Sequence, residues 1–254
     1  MFLADALVLT QPLTQIESIE SRSPQGDRLL YVIRHGESAL NVLDPDSGLM
    51  LTSGKGLTIP LTQKGKDQAS RLGNELLGRI KEGSEIVICS STALRAQQTA
   101  HEIFHILNEK NRCELDINYD GLCELGQGKW EGLPKDAKYK EEINKWEERS
   151  AFDKIIHPKV ITGESFQDVT DRLLPDLQTI VQKYPSKIIL VVSHHAAMNA
   201  MAIKVNRPEL SKEPKSKLPL LELENCDMVV MKLPQDGTID DARIVTHISC
   251  GLEN

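Results

Sequence analysis

Apolar runs alternate with amphipathic stretches along most of the chain. Residues 29–33, 85–90 and 187–193 are mainly apolar runs of the length that buried strands have. After the first run, residues 63–81 place apolar side chains at helical spacing, and residues 92–110 do the same after the second. This alternation predicts an α/β fold, specifically a three-layer α/β/α sandwich around a mostly parallel central sheet.

The remaining segments complete this prediction. Thr92 is the expected N-cap of the second helix, and Pro175 is expected to kink or split a later one. The Asp236-Gly237 dipeptide favours a turn, so the apolar segments on either side of it should form a closing hairpin. The further expected elements are a short strand at 113–119, helices at 165–184 and 195–205, and hairpin strands at 226–234 and 242–248.

The chain divides into an arm and one larger domain. Residues 1–28 are interpreted as an N-terminal arm and linker, because the start lacks a basic region and residues 18–27 are polar with Pro and Gly. Residues 29–254 form the predicted catalytic domain. Within it, residues 121–163 are charged and interrupted by glycines, and they hold both tryptophans. We expect this stretch, the cap segment, to be a small inserted cap subdomain.

Composition and charge restrict the partners. The chain has 254 residues, of which 40% are hydrophobic, enough for one sizeable core. A net charge of −7 argues against nucleic acid and anionic membranes as partners, so an anionic substrate would need a local basic pocket. No apolar run approaches membrane-spanning length. Five scattered cysteines without a CxxC motif indicate reduced thiols and a cytoplasmic location.

Basic and imidazole side chains follow the three strongest strands. Arg34 and His35 end the first, Arg95 lies just after the second, and His194 and His195 follow the third. Because ligands in open α/β sheets bind beyond the carboxyl ends of strands, we expect these side chains at one rim. Two guanidiniums and imidazole donors at helix N-termini suit a tetrahedral dianion, and an imidazole facing phosphorus can act as a nucleophile.

Six motifs occur in a specific order along the chain. They are RHGES followed by Asn41, then LTQKG, SSTALRAQQTA, CELGQGKWEG, TGES and VSHH. This ordered set resembles the histidine phosphatase superfamily, in its phosphoglycerate-mutase-like branch, from about Leu29 to the final hairpin. The resemblance implies phosphomonoester hydrolysis through a phosphohistidine. It also implies a small phosphorylated substrate and no cofactor or metal, since arginines supply the positive charge.

The resemblance also implies a role for each matching residue. Ser38 and Asn41 have a structural alternative, because a serine can cap a helix and an asparagine can cap a turn. His195 stands where the family usually has glycine, so it should narrow the site, contact the substrate or disturb the turn. The implied roles are phosphorylated nucleophile for His35, proton donor for Glu124, phosphoryl clamp for Arg34, Arg95 and His194, and the rest of the first phosphate loop for Ser38 and Asn41. His195, which departs from the family pattern, is expected among the substrate-binding residues.

Parts of the sequence also allow other interpretations. HEIFH at 101–105 matches a zinc-protease pattern, but helical phase places His101 and His105 away from the apolar stripe of their helix, on the solvated side. Trp130 is expected to pack within the cap segment. The alternatives to a phosphatase are a phosphoglycerate mutase, which usually has a longer cap, and a non-catalytic phospho-ligand-binding module. The oligomeric state is left open between a monomer and a homodimer.

Overall fold

Seven strands form one sheet in the part of the chain that the computed structural model describes, residues 9–44 and 48–251. The strands are β1 Leu9–Pro12, β2 Arg28–Arg34, β3 Glu85–Ser91, β4 Arg112–Tyr119, β5 Ile188–Ser193, β6 Met228–Leu233 and β7 Arg243–Ser249. Their spatial order is β1-β7-β6-β2-β5-β3-β4. The pairs β2–β6 and β6–β7 are antiparallel, and the other four neighbouring pairs are parallel, which confirms the mostly parallel sheet.

Helices cover both faces of this sheet, as the sequence predicts. They are α1 Gln63–Leu77, α2 Leu94–Leu107, α3 Ala137–Glu147, α4 Ala151–Ile156, α5 Phe166–Lys183 and α6 His195–Asn206. Successive residues of a strand point to opposite faces, so Val32 packs in the core beneath α5 and α6 while Ile33 packs beneath α1 and α2. Burying each such side chain contributes about 1.5–3 kcal/mol.

The N-terminal arm contributes to the sheet. Strand β1 pairs in parallel with β7, from Leu9 opposite Thr246 to Pro12 opposite Ser249. Ile19, within the predicted linker, is buried in the core. The sequence pattern predicts neither feature, because a short strand at an edge depends on a partner more than 230 positions away. The arm's residues 1–8 lie outside the described residues.

The structure differs from the predicted cap of α2 and from the predicted splitting of a later helix. Ala93, not Thr92, occupies the N-cap of α2, because the Thr92 hydroxyl donates instead to Asp120 Oδ1 at 2.7 Å. Helix α5 continues without a break through Pro175 over 18 residues, so the proline does not split it. Burial of the apolar face that includes Leu173 and Leu177 offsets the backbone hydrogen bond that Pro175 cannot make.

The cap segment holds two of the helices, α3 and α4, together with short turns. Trp130 and Trp146 are both buried there. The Trp130 ring lies edge-on to Tyr139 with 5.5 Å between ring centroids, which confirms that Trp130 packs within this segment.

A close backbone contact holds the loop after β2 against the start of α1. A Cβ atom on Gly36 would overlap the carbonyl oxygen of Gly65, and one on Gly65 would overlap the backbone of Glu37. Thr62, the N-cap of α1, accepts a hydrogen bond from Gly65 N at 3.0 Å and donates one to Glu37 Oε1 at 2.8 Å. The glycines of RHGES and LTQKG therefore allow the loop that carries His35 to lie directly on a helix.

We expect Gly65→Ala to lower the free energy of unfolding by about 1–3 kcal/mol, the usual cost of overpacking a tight contact. Gly78→Ala at the end of the same helix is the matched control, because the nearest atom to the new Cβ, the carbonyl oxygen of Glu75, would be 3.7 Å away. That variant should be unchanged or about 0.4–1 kcal/mol more stable. Urea unfolding of the three proteins measures the difference, and equal stability of the two variants would contradict the contact.

Candidate active site

The carboxyl ends of three adjacent parallel strands bring the predicted residues together. Strand β2 lies beside β5 with Arg34 opposite Ser193, so His35 and His194 leave the sheet side by side. Their ring centroids are 5.0 Å apart. Strand β3 lies on the other side of β5, and Arg95 in the first turn of α2 reaches across to place its Nε 3.3 Å from His35 Nε2. Residues up to 160 positions apart therefore meet at one rim.

The His35 ring is held in one tautomer. Its Nδ1 lies 2.6 Å from the carbonyl oxygen of Gly36, which can only accept, so Nδ1 carries the proton. The single lone pair of Nε2 faces Arg95 and accepts a hydrogen bond from its Nε. Burial, followed by the charges of Arg95 and Arg34, holds the pKa of His35 well below its usual value. The ring is therefore neutral at physiological pH, as a nucleophile must be.

His194 has one satisfied and one unsatisfied ring nitrogen. Its Nε2 lies 2.7 Å from the Ser91 hydroxyl, and its Nδ1 is buried without a hydrogen-bond partner. The side chain is fully buried, and burial, with the charge of Arg95, holds its pKa well below the usual value. An unpaired buried polar atom costs about 1–3 kcal/mol. Such an atom next to His35 and Arg95 suits a ligand oxygen.

The two arginines are held by backbone carbonyls. Arg95 is 1% exposed, and its Nη1 and Nη2 donate to the carbonyl oxygens of Gly56 and Gly54 at 2.8 and 2.9 Å. Arg34 Nη1 donates to the Leu223 carbonyl at 2.6 Å, while its buried Nε has no partner. Loop 48–60 is thus attached to the guanidinium that contacts the His35 ring. Both guanidiniums still have N–H groups that could donate to an anion, including Arg34 Nε.

Glu124 is held at the N-terminus of α6. It is 7% exposed, and its carboxylate accepts from the backbone N–H groups of Leu125 at 2.8 Å, Ala197 at 3.0 Å and Ala196 at 3.2 Å. The first of these groups is local and the other two belong to the turn after His194. Helix N-termini favour negative charge, so the segment that follows β5 positions both His194 and Glu124.

Ser38 and Asn41 contact each other. The backbone N–H and the hydroxyl of Ser38 both donate to Asn41 Oδ1, at 2.9 and 3.0 Å, and Ser38 caps a short 3-10 turn. The capping alternative therefore describes this structure, and the phosphate-binding roles of these two residues stay predictions. His195 is the first residue of α6 in ordinary helical backbone, so its side chain does not disturb the turn.

The match to known proteins covers this site. Residues 30–240 match the model of the histidine phosphatase superfamily, branch 1. The chain belongs to this superfamily.

Relatives of the chain within the histidine phosphatase superfamily carry phosphatase names. Uncharacterized phosphatase PhoE of Bacillus subtilis is 29% identical over 181 residues, 70% of this chain and 79% of that protein. Phosphoserine phosphatase 1 of Hydrogenobacter thermophilus is 30% identical over 189 residues, 72% of this chain and 78% of that protein. Probable phosphoglycerate mutases are also among the relatives, at 29–30% identity. The family and these relatives support phosphatase function.

A solved structure supports the fold. The mycobacterial glucosyl-3-phosphoglycerate phosphatase matches with a TM-score of 0.65, and the match covers 88% of this chain and all of that one. The sequence identity of 21% means that this likeness shows the histidine phosphatase fold alone.

The zinc-protease pattern does not form a metal site. His101 and His105 are exposed on α2, as helical phase predicts, and Glu102 accepts from the Ser70 hydroxyl at 3.1 Å. Within residues 9–44 and 48–251, no three His, Cys, Asp or Glu side chains are grouped to hold a metal ion. The helices in those residues are too short or too polar to cross a bilayer.

Sequence reasoning misses several groups that hold the histidine phosphatase site together. The carbonyls of Gly54 and Gly56 have no side-chain signature. Asn225 donates to the His35 carbonyl at 2.9 Å from 190 positions away, which no local pattern indicates. Thr99 accepts from Gly36 N at 3.1 Å and lies inside the motif SSTALRAQQTA, but its helical position resembles ordinary packing.

The neutral His35 makes stability depend on pH. As pH falls below about 6.5, the unfolded chain protonates this histidine while the folded protein, with its lowered pKa, does not. The free energy of unfolding should therefore fall with decreasing pH, by up to about 1.4 kcal/mol per pH unit for each such histidine. His35→Gln should remove one such contribution and flatten the slope. Urea unfolding between about pH 7 and pH 5 tests this, and an unchanged slope would contradict the neutral ring.

Proposed function

We propose that the protein hydrolyses phosphomonoesters of small molecules through a phosphohistidine at His35, without a metal ion. One observation carries this proposal. The His35 ring is neutral, its Nδ1 proton is held by the Gly36 carbonyl, and its Nε2 lone pair lies beside the Arg95 guanidinium. A buried nucleophilic nitrogen next to fixed positive charge has a clear use in attack on a phosphoryl group.

The first step transfers the phosphoryl group to the protein. The donors of Arg34 and Arg95 and the unpaired Nδ1 of His194 hold the phosphoryl oxygens, and helical N–H groups nearby add positive potential. His35 Nε2 attacks phosphorus as the bond to the ester oxygen breaks. Glu124 acts as the general acid and gives a proton to the leaving oxygen, so an alcohol departs. Positioning and charge stabilisation supply most of the catalysis.

The second step returns the protein to its starting state. A water molecule attacks the phosphorus of phosphohistidine, and the Glu124 carboxylate accepts the proton that the water loses. The bond to Nε2 breaks, inorganic phosphate leaves, and His35 is again neutral. The arginines neutralise the phosphoryl charge in both steps, which is why the proposal needs no metal ion.

Phosphoryl transfer to another hydroxyl group, the mutase reaction, is the second candidate. Relatives with mutase names favour it, and it would use the same residues up to the phosphohistidine. The short cap segment, whose helices α3 and α4 have 11 and 6 residues, favours access of water and thus hydrolysis.

We also propose that the enzyme is cytoplasmic. Its five cysteines are free, which suits a reducing compartment.

Replacing the nucleophile and the proton donor separates the two steps. His35→Ala should abolish release of phosphate from p-nitrophenyl phosphate and prevent ³²P labelling of the protein. Glu124→Gln should reduce turnover of an alkyl phosphate by about 10²–10⁴-fold, because its leaving group needs a proton. With p-nitrophenyl phosphate, which has a good leaving group, that variant should instead accumulate labelled protein. Full activity of His35→Ala would end the proposal.

Chelation tests the role of metal. We expect release of phosphate to be unchanged after dialysis against EDTA, because the guanidiniums of Arg34 and Arg95 supply the positive charge. The same samples assayed with 3-phosphoglycerate report isomerisation. Loss of activity that added Mg²⁺ or Zn²⁺ restores would refute metal independence, and isomerisation without phosphate release would favour the mutase.

A further inference from the structure

One arginine holds the backbone that carries Glu124. Arg172 Nη1 donates to the carbonyl oxygens of Gly121 at 2.6 Å and Cys123 at 2.8 Å. Its Nη2 donates to the carbonyl oxygen of Glu124 itself at 2.9 Å. These residues are buried, and a buried carbonyl group needs a hydrogen-bond donor. The position of the proposed proton donor therefore depends on a single guanidinium.

Glu164 fixes the orientation of that guanidinium. Its carboxylate accepts from Arg172 Nε at 3.1 Å and from Arg172 Nη2 at 2.8 Å, the two parallel bonds of a fork. Its Oε2 also accepts from the backbone N–H of Gly126 at 2.8 Å, just beyond Glu124. Burial alone would raise the pKa of Glu164, but hydrogen bonds from Arg172, Lys55 and Gly126 outweigh it and lower that pKa to about 2. The carboxylate is therefore ionised where it holds the segment.

Arg172 has no hydrogen-bond donor left for a substrate. The five N–H groups of its guanidinium make the five hydrogen bonds to Glu164 and to the three carbonyls. Arg95, in contrast, makes three such bonds, to His35 and to the carbonyls of loop 48–60, and so keeps N–H groups for a phosphoryl oxygen. Arg172 therefore acts on the reaction only through the residues that it holds.

Helix α5 places both residues of this pair. Ser165, directly after Glu164, caps the helix by accepting from Asp168 N at 3.1 Å, and Arg172 follows about two turns later. Gly121 lies against the same helix, because a Cβ atom there would overlap the carbonyl oxygen of Arg172. The TGES motif thus provides the carboxylate and the helix cap, and Gly121 lets the segment of the proton donor lie directly on α5.

Glu164 also connects this segment to the loop that holds Arg95. Lys55 Nζ lies 2.8 Å from Glu164 Oε1. Lys55 stands between Gly54 and Gly56, whose carbonyl oxygens accept from Arg95. One network of hydrogen bonds and ion pairs thus joins an arginine of the phosphoryl clamp to the segment of the proton donor.

We propose that Arg172, oriented by Glu164, is a positioning residue that sets where the Glu124 carboxylate lies relative to the leaving oxygen of the substrate. This inference rests on the proposed function, in which Glu124 protonates that oxygen. The nucleophile His35 is held by a different arginine, Arg95. Weakening the pair in α5 should therefore slow the steps that need the Glu124 carboxylate and leave the attack on phosphorus intact.

Two aryl phosphates separate these steps in single-turnover experiments with enzyme in excess. p-Nitrophenol leaves without a proton, whereas phenol is a more basic leaving group and needs one. We expect Arg172→Lys to slow release of phenol from phenyl phosphate by about 10–10²-fold, because a displacement of about 1 Å can cost that much. Release of p-nitrophenol should stay within about threefold. Lysine keeps the charge, but its one nitrogen cannot replace the fork.

The Glu75–Arg79 pair provides the matched control. Arg79 Nε donates to the carbonyl oxygens of Leu13 at 3.0 Å and Ile16 at 3.1 Å, and its Nη1 donates to Glu75 Oε2 at 2.6 Å. It therefore has the same kinds of partner as Arg172, but these partners belong to α1 and the N-terminal arm. Arg79→Lys should release both phenols at the wild-type rates.

Glu164→Gln tests the same contacts with a smaller change. The amide oxygen can still accept from Gly126 N, but it lacks the charge that orients Arg172. Release of phenol should fall about tenfold, release of p-nitrophenol should stay within about threefold, and Glu75→Gln should change neither. Urea unfolding shows which variants are folded, and Glu164→Gln decides the inference if Arg172→Lys is not.

The outcomes separate this inference from the proposed function. An equal loss for phenol and p-nitrophenol in the folded variants, or wild-type release of both, would overturn the positioning role while the phosphatase activity stands. A selective loss of phenol release, absent from Arg79→Lys and Glu75→Gln, would support it. A wild-type protein that releases neither leaving group would end the proposed function, and this inference with it.

Discussion

The structure depends on keeping one uncharged imidazole in contact with a guanidinium. His35 lies with its Nε2 3.3 Å from Arg95 Nε, in surroundings that oppose its protonation. A protonated ring would repel both arginines, so burial and neighbouring charge keep the lone pair available. The sheet provides this geometry, because β2, β5 and β3 are adjacent and parallel and end at the same rim. The buried cores on the two faces of the sheet hold these strands in register.

Contacts from several elements of the fold hold the segment that carries His35. Helix α1 packs on the Gly36 loop through Gly65, and the closing hairpin contributes Asn225 to the His35 carbonyl. Loop 48–60 is attached to Arg95 through the carbonyls of Gly54 and Gly56. Movement of that loop is therefore coupled to the position of the guanidinium.

The sequence predicts which strands and which histidines form the site better than it predicts the contacts that hold them in place. The strand containing residues 29–33 is recognisable because burial on both faces demands a continuous apolar run, and His35 and His194 follow from where such runs stop. Thr92 is misjudged as a helix cap because its hydroxyl has a tertiary partner in Asp120 that no local pattern reveals. Contacts through backbone carbonyls, as at Gly54, leave no trace in residue type.

Strand β1 has a consequence for association between copies of the chain. It covers one side of β7, which β6 covers on the other, and it ends at Pro12, whose nitrogen carries no hydrogen. A proline in an outermost strand discourages another chain from adding to the sheet. Loss of the first twelve residues would leave the backbone groups of β7 unpaired along residues 246–249, next to the buried Ile248. Such a shortened chain would expose a template for intermolecular strand pairing, so the N-terminal arm also protects the enzyme against aggregation.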